Sequence, residues 1–362
     1  MRRRKYIHIQ NAEGVARMSG LPGIRDLHLA ELEQEVTLLG MPKYRAEQIA
    51  RWVQGKGAGS YAAMTNLPAE AREKLGASYD IALPQVLEKK VSRDGDTVKY
   101  LLRLTDGQAV ESVLMKYRHG YSACLSTQVG CRMGCRMCAS GAAGLVRNLT
   151  AGEIIGQIWS MQHDAGRRIG GIVLMGSGEP LDNYEPVLKF IGLAGAPWGL
   201  NIGQRHITIS TCGIVPRIED LMRLRLSVTL AVSLHAPNNK LREQLLPINK
   251  KYPLELLLPA CRRYARETGR RITFEYALLK GVNDDEQAAR ELAGILRGIH
   301  CHINLIPANP VAGRSFGPAG RETANSFRLL LEQAGYPVTV RRELGLDIDA
   351  ACGQLRRRVL TP

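Results

Sequence analysis

The spacing of apolar residues predicts helices in the first part of the chain. From Ile24 to about Asp80 the spacing is helical, and within residues 42–54 apolar side chains recur at i, i+3, i+4 and i+7. These apolar positions are Ala46, Ile49, Ala50 and Val53. Charged residues occupy the other faces, so we predict a small helical accessory domain over residues 21–84 with basic, RNA-binding flanks. Residues 1–20 lack this pattern, and we expect a flexible tail there.

The period changes to two between Val86 and Tyr117. One face of the second run carries Val98, Tyr100, Leu102 and Leu104. The turn sequences RDGD and TDGQ separate the runs. This pattern predicts a short antiparallel β extension, a meander, over residues 85–120.

From Tyr121 onward, short apolar runs alternate with longer helical stretches. The predicted strands cover residues 121–129, 171–176, 206–210, 227–233, 272–277 and 301–306. Thr150 and Glu153 form a capping box that predicts the start of the first helix. Six βα units in series predict an α/β core over residues 121–345, either a partial (β/α)6 TIM-like barrel or an open, doubly wound parallel sheet. A C-terminal segment, residues 346–362, follows.

Polar motifs follow the predicted strands. They are GSGEP (176–180), STCG (210–213), SLHAP (233–237), the stretch that opens with Lys280 and Gly281, and NLIPANP (304–310). The carboxyl ends of parallel barrel strands form the mouth where ligands bind. Each motif alone is more often a turn or a cap than a binding site. Their shared position therefore predicts one site at the mouth.

We predict that this site binds a ligand with ammonium, carboxylate and ribose groups. The candidate binding residues are Gly178, Glu179, Ser210, Ser233, Leu234, His235 and Asn309. The carboxylate of Glu179 can accept hydrogen bonds from an ammonium group, and the serine and histidine side chains can donate to a carboxylate or ribose. The amide of Asn309 can bond a ribose or an adenine edge.

Three cysteines in a C-x3-C-x2-C arrangement follow the first predicted strand of the core. They are Cys131, Cys135 and Cys138. Structural zinc takes four ligands, commonly from paired C-x2-C units. An iron-sulfur cluster held by only three cysteines leaves one iron open for another ligand. The triplet favours the cluster, and a zinc site completed by Cys124 is the alternative.

Further residues are candidates for catalysis. Cys124 and Cys352 are either inert thiols or a redox and nucleophilic pair. Glu111 alternates onto the apolar face of the last meander strand, together with Val113, Met115 and Tyr117. It is a candidate proton acceptor if it is paired or desolvated, and otherwise a strand-edge glutamate in solvent. The remaining cysteines of apolar segments are expected to be plain core residues: Cys212, Cys261 and Cys301.

Composition adds a substrate class and a compartment. The 362 residues carry a formal net charge of +15, with a pI of about 9.6. The basic residues cluster at Arg2 to Lys5, Arg262 with Arg263, Arg270 with Arg271, Arg341 with Arg342, and Arg356 to Arg358. This pattern indicates a polyanionic partner, RNA or DNA, or else a basic surface kept for solubility. Because no secretory signal and no run of ~18 apolar residues occurs, we expect a cytoplasmic protein, with monomer as the default.

Taken together, the motifs resemble those of the RlmN/Cfr family of radical SAM RNA methyltransferases, where SAM is S-adenosylmethionine. The resemblance runs from about Tyr44 to Leu355 and includes VGCRMGCRMCASG, LVRNLT, GSGEP, STCG, SLHAP, RRITFEY, NLIP and DIDAACGQL. It implies one 4Fe-4S cluster on the cysteine triplet and two SAM molecules per turnover. It also implies methylation of an adenosine in 23S rRNA at the peptidyl-transferase centre, and we expect C2 as the position, as in RlmN members. Methylation at C8, as in Cfr proteins that confer antibiotic resistance, is the alternative. Some RlmN enzymes also modify tRNA.

The same resemblance implies roles for individual residues. Cys352 would accept a methyl group and then join to the RNA, and Glu111 would accept the ring proton. Cys124 would release the methylated RNA by forming a disulfide with Cys352. A flavodoxin-like electron donor and a thioredoxin-like thiol reductant would support turnover. A non-catalytic, metal-containing RNA-binding protein is the alternative of another class.

Overall fold

A computed structural model describes residues 20–141, 144–308, 316–342 and 344–350. Most of the predicted tail, Asn309 and Cys352 lie outside these ranges. None of the described helices is both long and apolar enough to cross a lipid bilayer.

The helical spacing near the N-terminus produces helices that pack around a core of their own. These are α1 (Leu29–Leu38), α2 (Arg45–Ala50), which continues into a π-helical turn (Arg51–Gly55), and α3 (Ala69–Ser78). All of the apolar positions predicted in residues 42–54 are fully buried, which confirms the predicted face. The buried guanidinium of Arg25 donates to the carbonyls of Val53, Ala58 and Ile81 and ties this core together.

The period-two region forms the predicted meander. Its antiparallel strands are β1 (Gln85–Val91), β2 (Thr97–Arg103) and β3 (Ala109–Tyr117), and β4 (Gly120–Cys124) pairs antiparallel to β3. Tyr100 and Leu102 face the main hydrophobic core, whereas Val113 and Met115 belong to a separate cluster on the other face of the sheet. The alternation predicted from the sequence is therefore confirmed.

The prediction of one strand over residues 121–129 was wrong. Strand β4 ends at Cys124. The next residues form a separate two-stranded hairpin, in which β5 (Gln128–Gly130) pairs antiparallel with β6 (Leu145–Asn148). The chain therefore leaves the main sheet just before the cysteine triplet.

Hydrogen bonds from outside the main sheet cause this break. The N–H of Ser126 donates to the Gln157 side chain at 3.0 Å. The N–H groups of Thr127 and Gln128 both donate to the carbonyl of Ser177, at 2.9 and 3.1 Å. Because these donors are satisfied by a helix side chain and by the GSGEP loop, they cannot extend the strand ladder.

The remaining strands complete the α/β core. They are β7 (Ile169–Leu174), β8 (Ile207–Thr211), β9 (Thr229–Ser233), β10 (Ile272–Leu278), β11 (Cys301–Pro307) and β12 (Val338–Val340). In the described part of the chain they continue parallel from β4 in one ten-stranded sheet, in the order β1-β2-β3-β4-β7-β8-β9-β10-β11-β12. The arrangement is a partial TIM-like barrel, and the short strand β12 at its edge was not predicted.

Helices alternate with these strands and cover one face of the sheet. They are α4 (Ala151–Ala165), α5 (Tyr184–Ala194), α6 (Val215–Leu224), α7 (Asn239–Leu245), α8 (Leu254–Thr268), α9 (Glu286–Ile295) and α10 (Arg321–Gln333). The capping box predicted for α4 is present, with reciprocal bonds between Thr150 and Glu153. The opposite, inner face of the sheet carries polar side chains such as Glu111 together with the smaller hydrophobic cluster around Val113 and Met115.

Candidate active site

A cavity of about 180 Å³ lies at the carboxyl ends of the parallel strands. The predicted residues that line it are Cys131, Cys135, Cys138, Gly178, Glu179, Ser210, Ser233 and His235. Leu234 does not line the cavity, because its side chain is fully buried in the main hydrophobic core. The structure therefore brings most of the predicted binding residues together with the cysteine triplet.

The cysteine triplet forms part of the cavity wall. The N–H of Cys131 donates to the carbonyl of Gly144 at 3.0 Å, and the N–H of Cys138 donates to the carbonyl of Cys135 at 3.2 Å. Burial raises the pKa of the Cys131 thiol to about 12, and it also raises the pKa of Cys135. A buried thiolate needs a compensating cation, which the iron atoms of a cluster would supply.

The donor atoms of the triplet suit an iron-sulfur cluster. All three are cysteine sulfurs, which are soft ligands, and they line one cavity. Three soft thiolates at one cavity therefore fit a 4Fe-4S cluster with one open iron.

Glu179 is held next to the triplet by backbone groups. Its carboxylate accepts from the N–H of Cys212 at 2.8 Å and from the N–H of Leu181 at 3.0 Å. Complete burial raises the pKa of Glu179, and these hydrogen bonds oppose that effect only in part. A buried carboxylate in this position can receive the ammonium group of a ligand, which would replace its lost hydration.

The loop that carries Glu179 approaches the β5–β6 hairpin so closely that there is no room for a side chain at Gly178. Gly178 has a φ of +110°, and a Cβ there would lie 2.7 Å from the Cβ of Gln128. The side-chain oxygen of Gln128 accepts from the N–H of Glu179 at 2.8 Å. Glycine is therefore needed here both for the backbone conformation and for the close approach.

His235 is a buried, neutral side chain at the cavity wall. Its Nδ1 accepts from the N–H of Ala277 at 2.9 Å, so the neutral ring carries its proton on Nε2. Burial lowers the pKa of His235 to about 3, with a smaller contribution from the positive charge of Arg242. Its Nε2–H is thus available as a hydrogen-bond donor at the cavity wall.

The prediction that Cys212 is a plain core residue was correct only in part, because Cys212 is buried in a hydrophobic cluster but also lines the cavity. Cys261 and Cys301 do lie in the main hydrophobic core, but Cys212 lines the cavity and its N–H binds Glu179. The sequence signal was available, because Cys212 immediately follows a parallel strand in the STCG motif. Strand ends and strand interiors have different environments in a barrel.

Glu275 and Arg341 line the cavity but were not predicted as site residues. Glu275 on β10 is buried between core residues and accepts from the side-chain amide of Asn304 at 2.8 Å. Burial raises the pKa of Glu275, and the nearby Arg341 opposes this shift. A carboxylate between Phe274 and Tyr276 in a buried strand was a detectable signal.

The position of Arg341 differs from the one predicted from the sequence. The basic pair Arg341 and Arg342 predicts contact with a polyanion. The side chain of Arg341 lines the cavity and donates to the sulfur of Met175 at 3.5 Å. Only Arg342 of this pair is exposed, and it faces Asp94 and Asp96.

Glu111 and Cys124 lie on the inner face of the sheet, on β3 and β4. Glu111 is only 1% exposed, and one of its oxygens lies 3.5 Å from the Nζ of the equally buried Lys99. The alternative of a solvent-exposed glutamate was therefore wrong. Cys124 belongs to the same hydrophobic cluster as Ile348 and Ala350, which precede Cys352 in the chain.

Comparisons with known proteins agree with this geometry. Residues 125–293 match the family model of the Radical SAM superfamily. Residues 23–81 match that of the ribosomal RNA large subunit methyltransferase N-terminal domain. The crystal structure of a radical SAM methyltransferase from Sphaerobacter thermophilus superposes with a TM-score of 0.89 at 47% identity, covering 92% of this chain and 99% of that one.

Curated relatives extend the match along the chain. A probable dual-specificity RNA methyltransferase RlmN from Pelotomaculum thermopropionicum is 58% identical over 93% of this chain and 92% of that protein. A protein of the same name from Desulforamulus reducens is 54% identical over 92% of this chain and 96% of its own length. The chain therefore belongs to the RlmN family of radical SAM RNA methyltransferases.

Proposed function

We propose that this enzyme methylates C2 of an adenosine in 23S rRNA at the peptidyl-transferase centre, and that the adenosine next to the tRNA anticodon is its second substrate. One observation carries the proposal. The cavity lined by the cysteine triplet lies on the inner face of the sheet. Glu111 and Cys124 lie on the same face, together with the residues that lead to Cys352. The dual-specificity name of the relatives supports two RNA substrates.

The cavity residues divide into two binding roles. Cys131, Cys135 and Cys138 would hold the 4Fe-4S cluster, while Glu179 would bind the ammonium group of SAM. His235 and the serines of the cavity would donate to the carboxylate and ribose of SAM, with Asn309 as a further ribose or adenine ligand. When bound, cluster and SAM supply a carbon radical, which an electron-poor aromatic carbon such as adenine C2 requires because it has no lone pair to attack a methyl group. We propose two SAM molecules per turnover.

The protein side chains would complete the reaction. Cys352 accepts the methyl group and links the resulting one-carbon unit to the adenine. Glu111 would take the proton from the ring carbon while the adduct radical gives up its extra electron, for which the cluster is the proposed acceptor. The thiolate of Cys124 would then attack the sulfur of Cys352, and the carbon that leaves this sulfur would take up a proton to become the methyl group. This attack releases the methylated RNA and leaves a Cys124–Cys352 disulfide, which a two-electron thiol reductant returns to thiols. A flavodoxin-like protein is the proposed electron donor to the cluster.

Two alternatives lose support. The C8-methylating Cfr activity is not favoured, because the curated relatives carry the RlmN name. A non-catalytic RNA-binding role is disfavoured by membership of a methyltransferase family.

Nucleoside analysis tests the proposed function. Enzyme, SAM and a reductant are incubated anaerobically with 23S rRNA fragments or tRNA. The RNA is then digested, and the nucleosides are separated by chromatography and identified by mass spectrometry against standards. We expect 2-methyladenosine from both RNAs and no methylation with Cys352→Ala. Exclusive formation of 8-methyladenosine, or an active Cys352→Ala variant, would contradict the proposal.

A further inference from the structure

The residues just before Cys352 are docked against the β1–β2 hairpin. We call residues 344–350 the carrier segment. The N–H of Arg93 donates to the carboxylate of Asp347 at 2.9 Å, and the Nζ of Lys99 donates to the carbonyl of Asp349 at 3.0 Å. The β extension thus contacts the carrier segment through both backbone and side chains.

The carrier segment fits tightly against β2. Gly345 has a φ of +66°, and a Cβ there would lie 2.8 Å from the Cγ2 of Thr97 and 2.8 Å from the Cβ of Ala350. The N–H of Ala350 folds back to the carbonyl of Gly345 at 2.9 Å. This compact turn places Ile348 and Ala350 in the cluster that contains Cys124.

Lys99 joins the carrier segment to Glu111. Its side chain is 5% exposed, with the Glu111 carboxylate 3.5 Å away on β3 and the Asp349 carbonyl on the other side. Burying an ion pair is costly, and apolar residues of similar volume are often at least as stabilising. Packing alone therefore does not explain a buried lysine that binds both a carboxylate and the backbone of a terminal segment.

We propose that Lys99 is a positioning residue that holds Glu111 and the carrier segment at fixed positions relative to each other. Its ammonium group fixes the carboxylate relative to Asp349, three residues before Cys352. The same contact keeps the carrier segment packed beside Cys124. The inference rests on the proposed function for the roles of Glu111, Cys124 and Cys352.

Lys99→Met tests the inference, with Lys90→Met as the matched control. Lys90 lies directly opposite Lys99 in the β1–β2 pair, but its side chain is 41% exposed and faces Glu88. In the full-length holoenzyme, hydrogen exchange of the carrier segment and alkylation of Cys124 are followed by peptide mass spectrometry. We expect both rates to rise about tenfold or more in Lys99→Met, because a charge-assisted hydrogen bond is lost, and to stay unchanged in Lys90→Met.

A second readout separates positioning from general destabilisation. In single-turnover reactions with RNA, Lys99→Met should still methylate Cys352, since that step needs neither Glu111 nor Cys124. Release of methylated RNA should fall at least tenfold relative to methylation of Cys352. A merely structural role would lower both steps in parallel and would overturn the inference.

Gly345→Ala supplies an independent variant if Lys99→Met fails to fold. It disturbs the carrier segment through Thr97 and Ala350 and leaves Lys99 intact, so Cys124 alkylation should again accelerate. Unchanged exchange and alkylation in every folded variant, next to an active wild type, would overturn the inference alone. A wild type that never methylates RNA would instead overturn the proposed function, and the alkylation assay would still report on docking because it needs no RNA.

Discussion

Single polar side chains in the cavity are held mainly by backbone groups. Glu179 accepts two N–H donors, and His235 accepts the N–H of Ala277. Backbone donors of a packed barrel move little, so these side chains are oriented before a ligand arrives. These backbone hydrogen bonds therefore preorganise the binding site.

The buried imidazole of His235 makes a pH-dependent contribution to stability. Its pKa is about 3 in the folded chain and close to 6.5 when unfolded, so between these values the unfolded chain binds more protons. Stability should fall as the pH drops from about 6.5 toward 3, by at most ~1.4 kcal/mol per pH unit from this group.

Urea unfolding at pH 7 and pH 5 measures this contribution. His235→Asn is the comparison, since asparagine tolerates the φ of +57° at this position. The variant should lose less stability between the two pH values than the wild type. An equal loss in both proteins would contradict the neutral, buried state of His235.

At the scale of elements, the apolar periodicity predicted where the strands lie but not where each of them ends. The apolar runs located the parallel strands and the inner-face position of Glu111, because burial on one or both faces leaves a direct pattern. The end of β4 could not be predicted, because it depends on the carbonyl of Ser177, some fifty residues away in the chain. Arg341 was misplaced for a similar reason, since a cavity forms only when distant strand ends meet. The cavity position of Cys212, in contrast, could have been predicted from its place after a strand in the STCG motif.

Arg147 connects three elements and should be important for stability. On β6, it donates to Asp106 at 2.6 Å, in the turn after β2, and to Glu153 at 2.8 Å, in the capping box of α4. Its side chain is 14% exposed. Arg147→Met would leave two partly buried carboxylates without their cation, and we expect a loss of about 3 kcal/mol.

Chemical denaturation provides the measurement for this variant. Arg223→Met is the control, because Arg223 is 70% exposed and pairs with Asp220 on the surface of α6. A surface pair contributes at most about 1 kcal/mol. If the two variants lose equal stability, the Arg147 network does not join these elements as described.

For the whole molecule, both ends of the described chain are docked near the barrel. The N–H of Gly152 on α4 donates to Asp26 at 2.5 Å, and a Cβ on Gly152 would lie 3.0 Å from the backbone of Arg25. The carrier segment is docked on the β extension. The N-terminal helices and the residues before Cys352 therefore have defined positions relative to the cavity.

The net charge of +15 leads to a prediction about RNA binding. If about six phosphates are contacted, affinity for RNA should fall by ~10³ or more between 50 and 200 mM salt, because bound counterions are released. Fluorescence anisotropy with a labelled tRNA or rRNA fragment measures this dependence. Salt-insensitive binding would contradict the assignment of the basic clusters to RNA.

The central claim is that the cysteine triplet holds a four-iron cluster with one open iron. Electron paramagnetic resonance of the anaerobically reconstituted, reduced protein tests it most directly, with Cys135→Ala as the control. We predict the signal of a reduced 4Fe-4S centre in the wild type, a change in that signal when SAM is added, and its loss in Cys135→Ala. A wild-type protein that retains zinc, lacks iron and gives no such signal would contradict the account.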